Sequence, residues 1–271
     1  MEFLDVLLGN TSRSASLAAM RPVVLLGRGH SGTRVLAWMC VHLGVTLGTS
    51  GPHIEGDPDD VAFTNKIKAL AARNIDVTSP RHVRESALRR FQAAVATYYA
   101  GLGSPSGMWG WKFPETYLIA PYVARTFPLA RYLHLVRDGR DLAFKSHLTD
   151  NPRHRVGRAV LRACNARGLP DHLRAAASWA YQVDRFDAFR SELPPSDVFD
   201  IRFEDLCTAP RQTAERLSAF LGVPMTDACR EYAETGIDTL KVAQYREQDA
   251  RLVDDVERRI AGTLRRYRYL P

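Results

Sequence analysis

Pro22-Val-Val-Leu-Leu-Gly27, running on into Arg28-Gly-His-Ser-Gly-Thr33, is the stretch on which the fold is decided. Its first half is a continuous apolar run closed by glycine, the pattern of a strand buried on both faces of a parallel sheet. A helical pattern follows from Arg34 to Leu43 and stops at Gly44. The order is strand, glycine-rich loop, helix. A loop of small residues entering a helix aims several backbone N–H groups at one point, where the helix dipole adds partial positive charge. Gly27, Gly29 and Gly32 allow close approach, while Ser31 and Thr33 supply hydroxyl donors. Phosphate or sulfate suits such a loop; the bland alternative is a tight turn that binds nothing.

Further along, Thr46 to Asp60 is rich in Gly, Pro and Asp and reads as a loop. Val61 to Arg73 and Val83 to Tyr99 have helical spacing. Trp109 to Phe113 reads as a short strand, and Pro114-Glu115 suits the first turn of a helix running to Thr126. Arg131 to Val136 is a second buried-strand run, followed by Arg137-Asp-Gly-Arg-Asp141 and a helix through His147. Thr149 to Pro170, basic and punctuated by Gly and Pro, reads as an irregular insertion. Asp171 to Glu192 is helical, and Val198 to Phe203 alternates as a strand. Pro210 to Leu221 is an amphipathic helix ended by Gly222, and Asp249 to Tyr267 is a charged terminal helix. Strands alternating with helices predict one α/β domain over residues 1–271, P-loop-like, three-layered and with a mostly parallel central sheet. In such sheets ligands bind beyond the carboxyl ends of strands, where both glycine-containing turns fall.

Composition narrows the class without naming it. With 45% hydrophobic and 25% charged residues, the 271-residue chain can bury a core. Its most apolar stretch, Val35 to Val45, is too short for a membrane span and is broken by His42. Met1 to Met20 carries Glu2 and Asp5 as its only early charges around a short apolar core, so it reads as a frayed or flexible segment rather than a signal peptide. A cytoplasmic location is expected. Cys40, Cys164, Cys207 and Cys229 are widely spaced with no CxxC pair, which argues against a zinc site or a disulfide framework. The net charge of +7 is mostly arginine and scattered, so a nucleic-acid partner is not expected. Only Lys66, Lys68, Lys112, Lys145 and Lys241 are lysines.

Gly27 and Gly32 have the spacing of the nucleotide-triphosphatase loop, G-x-x-x-x-G-K-[ST], but Thr33 stands at the lysine position and Arg34 at the magnesium-hydroxyl position. The loop therefore holds an anion without the usual means of holding Mg-ATP. The second turn, Leu133-His-Leu-Val-Arg-Asp-Gly-Arg-Asp-Leu-Ala-Phe-Lys-Ser146, places Arg137 at a strand end and a hydroxyl on the following segment. Such a pair can grip one phosphate by charge-assisted hydrogen bonds. A local Arg137–Asp141 salt bridge is the alternative.

Here the sequence resembles the PAPS-dependent sulfotransferase family, in its bacterial form. GRGHSGTR after the first strand and LVRDGRDLAFKS after a later one are similar to that family's 5′-phosphosulfate loop and 3′-phosphate motif. WGWKFPET (Trp109 to Thr116) looks like its strand and turn bearing an active-site lysine, and IRFEDLCTAP (Ile201 to Pro210) like its later strand-to-helix segment. QYREQD (Gln244 to Asp249) looks like a late loop closing over the nucleotide. Several motifs in the correct order are more specific than one.

The resemblance implies a sulfotransferase fold and transfer of a sulfuryl group from 3′-phosphoadenosine-5′-phosphosulfate (PAPS) to a hydroxyl or amine of a small molecule or glycan, with no metal required. It implies donor contacts from Arg28, Gly29, His30, Ser31, Gly32, Thr33, Arg34, Arg137, Lys145, Ser146, Tyr245 and Arg246. Lys112 would stabilise the leaving group or the transferring oxygens. Three departures stand out. His30 replaces a lysine found before Ser-Gly-Thr in soluble animal members, and Val35 stands where some relatives carry an adenine-stacking tryptophan. Ser146 comes one position later than the motif's serine, and a slip of one rotates a helical side chain by about 100°, leaving Lys145 or Ser146 to make the contact. Pro114 occupies the place of the animal enzymes' base histidine, so Glu115, His53 and Glu55 are the candidates for the general base, while His30 serves either as a cation in place of the missing lysine or as a neutral hydrogen-bond donor. The competing readings are a P-loop small-molecule kinase and a catalytically degenerate binding module. Acceptor identity and oligomeric state are left open by the pattern.

Overall fold

A computed structural model describes residues 16–48 and 60–271. His53 and Glu55 lie outside the described residues, as does most of the segment expected to be a flexible N-terminus.

Five strands form one sheet: β1 (Val23–Leu26), β2 (Thr46–Leu47), β3 (Trp109–Lys112), β4 (Arg131–Val136) and β5 (Val198–Arg202). Their order is β2-β3-β1-β4-β5 and every pairing is parallel, with Leu25 beside Lys112 on one flank and Leu133 on the other. Pleating sends alternate side chains to opposite faces. Val24 and Leu26 join a core with Phe63, Phe91, Trp111, Tyr117 and Phe186, while Val23 and Leu25 join another with Leu36, Met39, Leu135, Phe203 and Leu217. The result is the three-layer α/β/α arrangement. Trp109, Trp111 and Tyr98 belong to the first core.

The helices are α1 (Thr33–His42), α2 (Val61–Asn74), α3 (Glu85–Gly101), α4 (Ala120–Thr126) and α5 (Gly139–Ala143). They continue as α6 (Arg155–Ala163), α7 (Asp171–Arg190), α8 (Phe203–Thr208), α9 (Pro210–Leu221), α10 (Asp227–Thr235) and α11 (Ala250–Arg266). Local chemistry sets many boundaries. Asp60 caps α2 by accepting from Phe63 N at 2.6 Å, and Gly222, at φ 69°, ends α9 in the left-handed region.

Four expectations need correction. The segment 149–170 is not an irregular insertion, because Arg155–Ala163 is a helix packed against α2 and α7. Its Gly157 looks like a breaker but is a contact: a Cβ there would lie 2.1 Å from the Asn151 carbonyl oxygen. The helix expected from Pro114 begins as a 3₁₀ turn, Pro114–Ile119, and becomes α-helical from Ala120, where Pro121 has no N–H to continue the first turn's ladder. Thr46–Leu47 is a short edge strand rather than the start of a loop. Finally, α5 stops at Ala143 and does not reach His147. Beyond it, the carbonyl of Lys145 accepts from Arg28 Nη2 at 2.9 Å and that of Ser146 lies 3.0 Å from His30 Nε2, so the first loop holds these two residues in place outside the helix.

Candidate active site

β3, β1 and β4 are neighbours, and their carboxyl ends deliver Lys112, the 27–33 loop and Arg137 to one cleft of about 530 Å³. Gly29, His30, Gly32, Thr33 and Arg34 form one wall. Lys68 of α2, together with Lys112, Arg137, Lys145 and Lys241, supplies cationic side chains, against Glu115 and Asp238 as carboxylates. The field in the cleft therefore favours an anion.

The first loop is shaped by two glycines for different reasons. Gly32, the N-cap of α1, has φ 95°, a region costly for other residues. Gly29 is set by proximity, since a Cβ there would lie 2.2 Å from the His147 ring. Ser31 Oγ is buried and has no hydrogen-bond partner among the described residues. Leaving a buried hydroxyl unsatisfied costs about 1–3 kcal/mol, and an anion oxygen held by the loop would remove that cost.

Arg137 is buried and heavily engaged. Its Nε donates to Asp141 Oδ2 at 3.1 Å and its Nη2 to the same oxygen at 2.8 Å. Nη1 donates to the His30 carbonyl at 3.1 Å, and Nη2 also donates to the Lys241 carbonyl. The guanidinium lies 4.3 Å from the centre of the Phe203 ring. Of the five guanidinium hydrogens, one on Nη1 is left for a ligand. The Arg137–Asp141 bridge thus exists alongside a place on the cleft wall.

A family model described as the sulfotransferase family matches residues 22–227. This chain belongs to the sulfotransferase family. No curated protein matches it in sequence. Among solved structures, the sulfotransferase domain from the curacin biosynthetic pathway is 16% identical, with a TM-score of 0.54 over 90% of this chain and 97% of that one. Sulfotransferase STF9 from Mycobacterium avium is 13% identical, with a TM-score of 0.54 over 96% of this chain and 80% of that one. Mouse sulfotransferase SULT7A1, complexed with PAP, is 13% identical, with a TM-score of 0.50 over 93% of this chain and 88% of that one. At these identities the likeness is one of fold.

In this member of the family, most of the residues expected at the site fall either on the cleft or away from it. His30, Gly29, Gly32, Thr33, Arg34, Lys112, Glu115, Arg137 and Lys145 come together around the cleft. Arg28 does not line it: its side chain is buried and forms an ion pair with Asp150. Ser146 is exposed and faces a neighbouring depression instead. Tyr245 lies over the Arg140 guanidinium at 4.2 Å and its backbone N–H donates to Asp141, while Arg246 is exposed. That late turn reaches the cleft through Gln244, whose Oε1 accepts from Lys145 Nζ at 3.1 Å.

His30 adopts φ 70°, and its Nε2 faces a carbonyl that can only accept, so that nitrogen carries the hydrogen. Burial and the nearby Arg28 lower its pKa. It acts as a neutral tie to Ser146 more than as a cationic substitute for lysine. His147 is the residue that motif reading missed. Its Nε2 is 3.9 Å from Glu115 Oε1 and its Nδ1 2.9 Å from Thr149 Oγ1. Burial, then Arg28 and His30, hold its pKa well below the ordinary value. Only its neighbours mark it; the DLAFKSHLTD stretch around it reads as the end of a helix. Among the described residues there is no group of three or more side chains suited to a metal.

Proposed function

We propose that this sulfotransferase moves a sulfuryl group from PAPS to a hydroxyl or amine of a small molecule or glycan. The observation that carries this reading is the convergence of the 27–33 loop, Lys112 and Arg137 from three adjacent strand ends on one cationic cleft. The N–H groups of the loop and the Ser31 hydroxyl would take the 5′ end of the donor. Arg34, Lys145 and the remaining Arg137 hydrogen would take its 3′-phosphate, with Gln244 positioning Lys145. The PAP held by the mouse neighbour fits a donor of this class.

During transfer the acceptor oxygen or nitrogen bonds to sulfur as the bond from sulfur to the 5′-phosphate oxygen breaks. Negative charge collects on the transferring oxygens and the leaving phosphate. Preorganised donors aimed at that charge are the main physical requirement, and Lys112 and the loop N–H groups are placed to meet it. The acceptor's proton goes to the Glu115 carboxylate, and neutral His147, whose Nδ1 accepts from Thr149, turns its Nε2–H toward that carboxylate. Four free thiols fit a reducing, cytoplasmic setting.

The test is a comparison of ligands by calorimetry. 3′,5′-Diphosphoadenosine (PAP) should bind at least about tenfold more tightly than MgATP, independently of magnesium, because the loop lacks the lysine and hydroxyl of a triphosphatase. Tighter MgATP binding would establish the kinase reading instead. Lys112→Ala should lower kcat by roughly 10²–10³-fold with little change in PAP affinity. Equal losses in both would make Lys112 a binding residue.

A further inference from the structure

α6 carries its apolar side chains Val156, Val160 and Leu161 into the protein and leaves Arg155, Arg158 and Arg162 exposed. Their i, i+3, i+7 spacing puts the three arginines on one stripe. The stripe faces α2 across a groove of about 620 Å³, lined also by Lys68, Arg73 and His154. Among the described residues no carboxylate lines the groove. The side chains of Lys68, Arg73, Arg155 and Arg162 form no hydrogen bond or ion pair with a described residue. Asp150, the one acid between Leu148 and Ala163, is withdrawn into the interior by Arg28.

The groove adjoins the transfer cleft, with Lys68 and Leu148 lining both. Along α2, Thr64 borders the cleft and Arg73 the far end of the groove, a separation of about 13 Å at 1.5 Å per residue. Lys68 and His154 also contribute to the lowered pKa of His147, so the groove's positive field reaches the transfer point. A cleft of one charge sign concentrates ligands of the other.

We propose that this groove is the acceptor subsite, and that the acceptor is an anion bearing a phosphate, sulfate or carboxylate roughly 10–15 Å from the group that is sulfated. The proposal rests on the sulfotransferase reading and adds the substrate class. The sulfuryl group leaves the donor phosphate for the acceptor hydroxyl or amine, and the charge held by α6 and α2 takes no part in that exchange. It sets which acceptors arrive and how they lie.

The test uses the full chain saturated with PAP and two pairs of ligands. One pair is a 4-hydroxyphenylalkyl phosphate and its uncharged amide counterpart. The other is a uronate-bearing hyaluronan tetrasaccharide and the neutral chitotetraose. In at least one pair the anion should bind about tenfold or more tightly than its neutral counterpart, and that preference should shrink as salt screens the groove. The pair that responds tells a small-molecule acceptor from a glycan. The variant R155A/R158A/R162A should lose the preference while PAP affinity stays within about twofold, and R155K/R158K/R162K should retain it. Equal binding within both pairs, no binding in either, or a preference that survives the alanine variant overturns the proposal. Loss of PAP binding by the parent protein would instead remove the underlying sulfotransferase reading, and the two failures are read separately.

Discussion

His147 shows how surroundings, rather than residue type, set chemistry at the residue scale. Enclosed by the Gly29 backbone, Glu115 and Thr149, with Arg28 and His30 nearby, it is held well below the ordinary imidazole pKa of 6.5. Its neutral form therefore persists to lower pH in the folded protein than in the unfolded chain. Above pH 6.5 the ring is neutral in both states and does not affect stability. As pH falls below 6.5 the unfolded chain takes up a proton the folded protein resists, and stability drops until the folded pKa is passed. With its Nδ1 accepting from Thr149, His147 presents Nε2–H to Glu115, so Glu115→Gln should remove the acid limb of kcat and lower kcat by about 10²–10⁴-fold, whereas His147→Asn should keep the limb. A pH–rate profile decides it; loss of the limb in His147→Asn makes the histidine the base. Arg137 offers no such clean test. Its removal would strand buried Asp141 at a cost of about 3–5 kcal/mol and confuse binding with folding.

The early stop of α5 bears, at the scale of elements, on which side chain would meet the 3′-phosphate of the proposed donor. Once residues 144–147 leave the helix, the one-position slip of Ser146 loses its meaning, because no helical rotation relates it to Lys145. Lys145 borders the cleft and Ser146 does not. Lys145→Ala should weaken PAP binding by at least about tenfold, as expected for loss of a charge-assisted contact. Ser146→Ala should leave binding unchanged, since the serine's structural tie is its backbone carbonyl. Reversal of this order in a titration would restore the serine. The sheet makes a second element-scale demand: Gly110 in β3 pairs with Val23 in β1, and a Cβ there would sit 1.8 Å from the Val23 carbonyl oxygen. Gly110→Ala should destabilise the protein by about 1–3 kcal/mol or more in urea unfolding.

Across the whole molecule, the turns after β1 and β4 are one assembly. Arg28 reaches the Lys145 carbonyl, His30 the Ser146 carbonyl, and Arg137 the His30 carbonyl, so the turns after β1 and β4 are mutually braced. A ligand touching both should stabilise the entire fold. At a hundred times its Kd, PAP should add about 2.7 kcal/mol, a rise in Tm of roughly 5–10 °C without magnesium. A thermal scan showing no rise would place the two turns outside any shared ligand site.

Much of this architecture was legible locally. An apolar run ending in glycine reads as a buried strand followed by an anion loop because its information lies within a dozen residues, and Lys112 and Arg137 were readable for the same reason. Arg28 and Arg34 looked alike as loop cations, yet only burial against Asp150 separates the first from the cleft. The sequence by itself determined the strand–helix alternation, the parallel sheet and the cationic strand ends, through periodicity and turn chemistry. Tertiary structure alone decided that α5 ends early, that His147 meets Glu115, and that α6 lays its arginines beside α2. They depend on contacts between residues far apart in sequence, as where Arg28 and His30 reach carbonyls 117 and 116 positions away, which no local pattern records.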